Sequence, residues 1–453
     1  MSIDARSDKR TAAKNVTVTS SPANGKLWSN WSGSVTARPQ EIRMPRSVDE
    51  VAEAVRVCRR EGRRLRIVGS GHSFTPIAAT DELLISLDGL QGIVGVDPEG
   101  FTATVWAGTK LKLLGELLFE NGLSQENLGD IDVQSIAGAV STGTHGTGIS
   151  FGNISTQVVG VKIVAGTGEV LDVTRESHPD WFKAMQVSLG SLGIIVQLTL
   201  KLRPSYKLEY ESRRMLLDDC LQQLEPLREA NRHFEFYWFP YAKPSQIKVM
   251  NITDKEATGR KVWDHISDVW IENSLFGLLS EMSRKLPGTS KAISRLSASQ
   301  VPVGRKVNYS HRIFATQRLV RFNEMEYNLP AEAMADVIRE MREKIERERY
   351  RVHFPIECRY AKGDDIWLSP AYDRDSAYIA VHMFKGMPHE RYFADMEEIF
   401  LRYGGRPHWG KMHGLQAGQL AERYPMWRAF KAVREELDPD GLLLNDYLRK
   451  IFL

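Results

Sequence analysis

Cysteine is nearly absent: Cys58, Cys220 and Cys358 are the only three in 453 residues, far apart and at no metal-ligand spacing. An odd, scattered set excludes a disulfide framework and points to a reducing compartment. Charge of one sign is lacking too, since 60 Lys and Arg against 57 Asp and Glu leave a formal net charge of +3. That balance implies no nucleic-acid partner, and the one local excess of Lys and Arg, from Lys285 to Arg321, reads as a solvated face. No apolar run approaches a membrane span, and MSIDARSDKRTAAKNVTVTSSPANGK at the start holds no apolar signal-peptide core. Repeats and low-complexity tracts are missing as well. The expectation is a cytoplasmic chain with a mobile arm over 1–29 and, at this length, two well-buried domains.

What is present begins with RLRIVGSGHSFTP, Arg64 to Pro76. The β-type run Leu65, Ile67, Val68 empties into Gly69-Ser70-Gly71-His72-Ser73. Glycines two apart let backbone N–H groups point into one concavity with no Cβ in the way, which suits a pyrophosphate, and His72 sits where that anion would lie. The dinucleotide fingerprint G-x-G-x-x-G is not matched, because the sixth position is Phe74 and Thr75-Pro76-Ile77 follow instead of a helix. By itself the turn is as readily an ordinary strand connection. A second stretch, Asn127 to Gly148, changes the balance: small residues and hydroxyls, among them Ser135, Gly138, Ser141, Thr142, Gly143 and Gly146, leave a bare backbone with nothing to fill a core. Such a backbone suits close approach of a large, flat, polar ligand.

With both loops in view, the chain resembles the vanillyl-alcohol oxidase type of FAD-linked enzymes. GSGHSF is similar to that family's pyrophosphate loop with its covalent flavin histidine, and SIAGAVSTGTHG to its second FAD loop. FNEMEY at Phe322 to Tyr327, the triplet Glu357-Cys358-Arg359 and HWGK at His408 to Lys411 narrow the resemblance to the sugar-lactone and alditol oxidase branch. The resemblance implies an α+β fold of two domains: an FAD-binding domain over 30–204, a substrate or cap domain over 205–411, and a segment 412–453 that returns to the first. It implies FAD bonded to His72 and no metal. The implied cofactor contacts are Val68, Gly69, Ser70, Gly71, His72, Ser73, Gly129, Ser135, Gly138, Ser141, Thr142, Gly143, His145, Gly146, Gly193 and Ile195.

Oxidising an alcohol carbon by hydride transfer requires a group that takes the hydroxyl proton and positive charge where negative charge develops. Glu357 and Arg359, two apart on a strand-like run, project to one face as an acceptor beside a donor fork, suited to adjacent hydroxyls. An arbitrary E-x-R is more often an exposed ion pair; here His353-Phe354-Pro355-Ile356 and Trp367 give apolar flanks. Lys411, among aromatics, glycine and histidines, is not an ordinary solvated lysine, and whether it or Glu357 accepts the proton stays open. His382 lies on an otherwise apolar strand and is as readily a satisfied core residue as a site residue. Gly129 and Asp130 match the position that the family places over the flavin's reactive face, where glycine leaves a passage for oxygen. The implied reaction is oxidation of a secondary hydroxyl of a sugar-acid lactone with O2 as acceptor and H2O2 as product. An alditol oxidase and a dehydrogenase serving another acceptor, docked through Lys285 to Arg321, are the competitors.

Local signals complete the expectation. Ser47 and Glu50 form a capping box for a helix ending near Glu61-Gly62. A hairpin joins 92–96 to 101–107, and long amphipathic helices cover 216–230, 331–348 and 390–403.

Overall fold

In this computed structural model of the chain, residues 27–258, 275–315 and 320–453 are described. Most of the expected arm and part of the basic stretch lie outside them. Trp28–Ser29, within the expected arm, pairs with Thr36–Ala37 in a small hairpin.

The helix Val48–Glu61 starts where Ser47 accepts the Glu50 N–H at 3.1 Å and ends at Gly62, whose φ of 64° needs no Cβ. Only half of the expected box forms, because the Glu50 carboxylate accepts from Arg46 N at 2.8 Å, one residue outside the cap. Val51, Ala52, Val55 and Cys58 recur at helical spacing and are buried. Strand Leu65–Val68 pairs in parallel with Leu83–Ser86, which pairs in parallel with Glu41–Arg43. A separate antiparallel sheet runs Val170–Thr174, Val158–Ala165, Gly193–Lys201, Thr102–Trp106, Ile93–Asp97. Its last two strands are the expected hairpin.

The second glycine-rich stretch is not all loop. Ile136–Ser141 is a short helix, and Ile136, Ala139 and Val140 are core residues. The expectation that nothing there fills a core is therefore corrected: the apolar side chains turn inward while the small ones face the Gly69 turn. A Cβ on Gly69 would overlap Ser135 Oγ.

The second large sheet is antiparallel throughout, in the order Gly304–Tyr309, Lys207–Leu216, Pro244–Ile252, His233–Trp238, Ile356–Ala361, Ser376–Phe384, Phe322–Pro330, Arg406–Pro407. Helices Met334–Glu348 and Glu390–Arg402 close as expected. The single helix expected over 216–230 is two, Leu217–Gln222 and Leu224–Ala230. Pro226 has no N–H and its ring would clash with the carbonyl four residues back, so the helix must restart just before it.

Period-2 alternation divides this sheet. Phe234, Phe236, Trp238, Cys358, Tyr360, Ile379, Val381, Met325 and Tyr327 pack beneath the helices in one hydrophobic cluster. A second cluster gathers the two smaller sheets with Leu420, Tyr424, Trp427, Phe430, Leu443, Leu448 and Phe452 from the C-terminus. The large sheet's other face is polar and turns towards the glycine loops.

Candidate active site

A cleft of about 910 Å³, its open mouth included, lies between the GSGHS turn, the Ile136–Ser141 helix and the start of strand Gly193–Lys201. It is lined by Val68, Gly69, Ser70, Gly71, His72, Ser73, Ser135, Gly138, Ser141, Thr142, Gly193 and Ile195. Gly71 has φ 65°, and among the described residues no acceptor is paired with the backbone N–H groups of Ser70, Gly71, His72 or Ser73. That leaves a row of free donors in a glycine turn, a nest for an anionic group. Lys110 adds a cation there, donating to Ser70 Oγ at 3.1 Å and to Asp88 Oδ1 at 2.6 Å. Arg66, fully buried along the same cleft, donates to the carbonyls of Ile77, Leu189, Gly190 and Leu443 at 2.5–2.8 Å and so ties four segments together. Burial lowers its pKa to about 10.

The turn is braced from both sides. Trp31 N donates to Gly71 O at 2.7 Å, Asn30 Nδ2 to Ser73 O at 3.0 Å, and the Trp31 ring stacks on His72 with centroids 5.4 Å apart. From the C-terminal side, Phe74 N donates to Gly410 O at 2.7 Å and Thr75 Oγ1 to Trp409 O at 3.3 Å, so HWGK docks directly on GSGHSF. Burial, then the charges of Lys411 and Lys110, push the His72 pKa down to about 4, leaving a neutral imidazole at pH 7.

Cross-strand register assembles the polar sheet face. Lys248 pairs with Glu235, and Glu235 with Arg359; Tyr237 pairs with Glu357, and Glu357 with Ala380; Glu326 also pairs with Ala380, and Glu324 with His382. The Arg359 guanidinium hydrogen-bonds Glu357 and lies 3.4 Å from Asp130 and 3.5 Å from Glu235, while Tyr237 OH donates to Glu357. Burial works against that charge, but Asp130, Tyr237, Glu235 and Glu326 outweigh it and hold the Arg359 pKa above its ordinary value. Lys411 Nζ sits 2.5 Å from Glu324 Oε2, and Glu324 Oε1 is 3.5 Å from His382 Nε2. His382 Nδ1 donates to Pro355 O at 2.9 Å. Burial raises the Glu324 pKa, yet Lys411 and His382 more than offset it and bring it to about 2.

His145 does not line the cleft. Its ring stacks on Tyr378 at 3.6 Å, with Nε2 3.1 Å from Glu326 and Nδ1 2.8 Å from the Gly146 carbonyl. Among the described residues, His145, Glu326 and His408 have the spacing of a metal site. Yet Gly410 N–H donates to His408 Nδ1 at 3.0 Å, so the His408 proton is on Nε2 and that nitrogen is not a free ligand. The trio is a buried seam centred on strand Phe322–Pro330, where Glu326 meets His145 through its carboxylate and His408 N–H through its backbone carbonyl at 3.0 Å. Gly129, Gly143 and Gly146 also lie off the cleft. A Cβ on Gly146 would overlap Leu128 O, and one on Gly129 would stand 3.3 Å from His145 O and Thr144 Cγ2.

Comparison with known proteins agrees with this geometry. A model of D-arabinono-1,4-lactone oxidase matches residues 198–451, and an FAD binding domain model matches residues 39–174. The chain belongs to the D-arabinono-1,4-lactone oxidase family. It is 41% identical over 425 residues to L-gulono-1,4-lactone dehydrogenase of Mycobacterium tuberculosis (strain ATCC 25618 / H37Rv), covering 94% of this chain and 99% of that one. Against L-gulonolactone oxidase of Mus musculus the identity is 33% over 435 residues, covering 94% and 98%. Among solved structures, cholesterol oxidase from B. sterolicum aligns with a TM-score of 0.81 at 17% identity over 96% of this chain and 99% of that one, a likeness of fold. This member of the D-arabinono-1,4-lactone oxidase family is thus an FAD-linked oxidoreductase with the two-domain α+β fold of the vanillyl-alcohol oxidase type. Among the described residues no helix is long and apolar enough to cross a membrane.

Sequence reading of this family member did not single out Lys110, Arg66, Glu235, Tyr237, Glu324, Glu326 or His408 as site residues. Glu324, Glu326 and His408 sit inside FNEMEY and HWGK and Arg66 inside RLRIVGSGHSFTP, while Lys110, Glu235 and Tyr237 lie in no such motif.

Several of its histidines are buried and neutral. Burial lowers His233 and His408 to about 3, and His353 and His413 to about 4, from an ordinary 6.5. Folded values below the unfolded one mean that the unfolded chain binds more protons in acid. Their contribution to stability is whole above pH 6.5 and is lost as pH falls towards 4 and 3. Glu324 adds a second loss below pH 4.5. Thermal midpoints measured from pH 8 downward should hold steady to about 6.5 and then fall continuously. A flat profile to pH 5 would refute the neutral-histidine assignment.

Proposed function

We propose that this protein oxidises a secondary hydroxyl of an aldono-1,4-lactone, passing two electrons through FAD to O2 with H2O2 as the second product. The observation that carries this reading is the convergence of Glu357 and Arg359, on one strand, with Lys411, from the HWGK segment that docks on GSGHSF, along the polar face of the large sheet. FAD, when bound, supplies the hydride acceptor. In this reading the free N–H groups of the turn hold its diphosphate, Ser135, Gly138, Ser141, Thr142, Gly193 and Ile195 bracket the rest, and neutral His72 forms the covalent link. Glu357 and Arg359 grip adjacent hydroxyls, and Arg359's fork orients the ring. Lys411 stabilises the negative charge that develops as the hydroxyl loses its proton. Asp130 and His382 complete the polar wall.

Denaturing the holoprotein in acid tests the cofactor half of this reading. Yellow colour should stay with the wild-type polypeptide and wash away from His72→Ala. Flavin released from an active wild type would reduce His72 to a diphosphate contact.

The acceptor has a second reading. Gly129 lacks a Cβ and favours oxygen access, whereas the Mycobacterium tuberculosis relative is named a dehydrogenase. Initial rates with L-gulono-1,4-lactone, followed by oxygen uptake in air and by reduction of an artificial acceptor under nitrogen, separate the two. Stoichiometric oxygen uptake supports the oxidase. Turnover confined to the artificial acceptor supports the dehydrogenase.

A further inference from the structure

Two consecutive residues of the N-terminal hairpin grip the chain on either side of His72. Asn30 Nδ2 donates to Ser73 O at 3.0 Å, and Trp31 N donates to Gly71 O at 2.7 Å. The carbonyls of the residues before and after the histidine are thus both held. Asn30 is 4% exposed and is locked in turn by Val35 N–H, which donates to its Oδ1 at 3.0 Å. The imidazole is oriented by stacking alone. Among the described residues no hydrogen bond reaches either ring nitrogen of His72, and its plane lies 23° from the Trp31 indole, with centroids 5.4 Å apart. The indole is fixed from behind, meeting Phe74 and Phe322 edge-on at 6.3 and 5.2 Å. Those two rings stack on each other at 5.9 Å, so Trp31 is wedged between GSGHSF and strand Phe322–Pro330.

The lone pair of a neutral imidazole nitrogen lies in the ring plane. The plane that Trp31 sets is therefore also the line along which that nitrogen can attack a carbon. Bonding His72 to the 8α-methyl carbon of FAD breaks one methyl C–H and the imidazole N–H and forms one C–N bond. Two electrons and two protons leave with O2 as H2O2. Such a reaction needs the nitrogen in line with the methyl carbon, and a misplacement of about 1 Å costs about 10²-fold in rate.

We infer that Trp31, fastened by Asn30, is a positioning residue for flavin attachment, presenting the edge of the His72 imidazole to the cofactor. This rests on the covalent reading of His72 above. The test uses the full-length protein as purified. Bound flavin per chain is read from the visible absorbance of the native protein, and linked flavin from what stays with the polypeptide after acid precipitation. Their ratio, the linked share, cancels a loss of cofactor binding common to both. In Trp31→Leu the linked share should fall about fivefold or more. Trp31→Phe keeps a stacking ring and should retain most of it. Asn30→Asp keeps the acceptor for Val35 N–H but has no donor for Ser73 O, and should lower the share about twofold or more. It carries the test alone if Trp31→Leu does not fold. A wild-type linked share in the folded Trp31→Leu and Asn30→Asp proteins, or a Trp31→Phe no better than Trp31→Leu, overturns the positioning role alone. Wild-type protein that holds flavin and releases all of it in acid overturns the covalent link and the positioning role together.

Discussion

Arg359→Met should lower the unfolding free energy by about 3–5 kcal/mol and remove lactone turnover to below the detection limit of a standard assay. Two separate effects act together. Within the fold, Arg359 is the counter-ion of Glu357, Asp130 and Glu235, two of which are almost fully buried. Deleting it takes the guanidinium from buried Glu357 and one of two cations from Glu235, and breaking a buried pair by removing one partner costs far more than the pair contributes. In the proposed reaction, the same fork orients the substrate hydroxyls, and a misplaced ring loses the advantage of preset geometry. Arg359→Lys separates the effects. The charge remains, so most of the stability should return, but a point charge cannot reproduce two directed hydrogen bonds and activity should stay low. A urea midpoint for Arg359→Met within experimental scatter of the wild type would show that the carboxylates are not held by this residue.

Lys411→Met is expected to lower kcat/KM by about 10²–10³-fold, the usual cost of removing one preorganised charge from a reacting centre. Here the position of the ammonium is set by its neighbours. Met412 N donates to Glu324 O at 2.9 Å, and Glu324 Oε2 receives Nζ at 2.5 Å, which fixes the lysine between strand Phe322–Pro330 and the Phe74 ring, 5.2 Å away. With the lysine gone, Glu324 loses the charge that does most to hold its pKa down, so that pKa should rise from about 2. The acid limb of the stability profile then moves to higher pH in Lys411→Met, because a carboxyl with a less depressed folded pKa adds less stability above pH 4.5. Steady-state kinetics and pH-dependent melts on the same preparation read both effects. Unchanged kcat/KM would remove Lys411 from the chemistry, and an unshifted acid limb would remove it from the Glu324 pair.

The sequence by itself determined what depends on neighbours along the chain. The GSGHS turn, the Ser47 N-cap, the hairpin around 97–100 and the shared face of Glu357 and Arg359 follow from backbone sterics, local hydrogen bonding and the period of two. The family-like motifs belong to the same class, since each is contiguous. Local reading erred where one residue overrode a periodic pattern, as Pro226 did in the helix over 216–230, and where residues set among small ones turned into the core, as Ile136, Ala139 and Val140 do in Ile136–Ser141. Tertiary structure alone decided which distant residues became neighbours. HWGK rests on GSGHSF across more than 300 residues of chain, with Thr75 and Trp409 334 positions apart. Glu235 faces Arg359, and Glu324 faces His382, only because of the register of antiparallel strands far apart in sequence. A one-residue slip would turn each of those side chains into the hydrophobic cluster, so burial of the opposite face fixes the register, and no local pattern announces it.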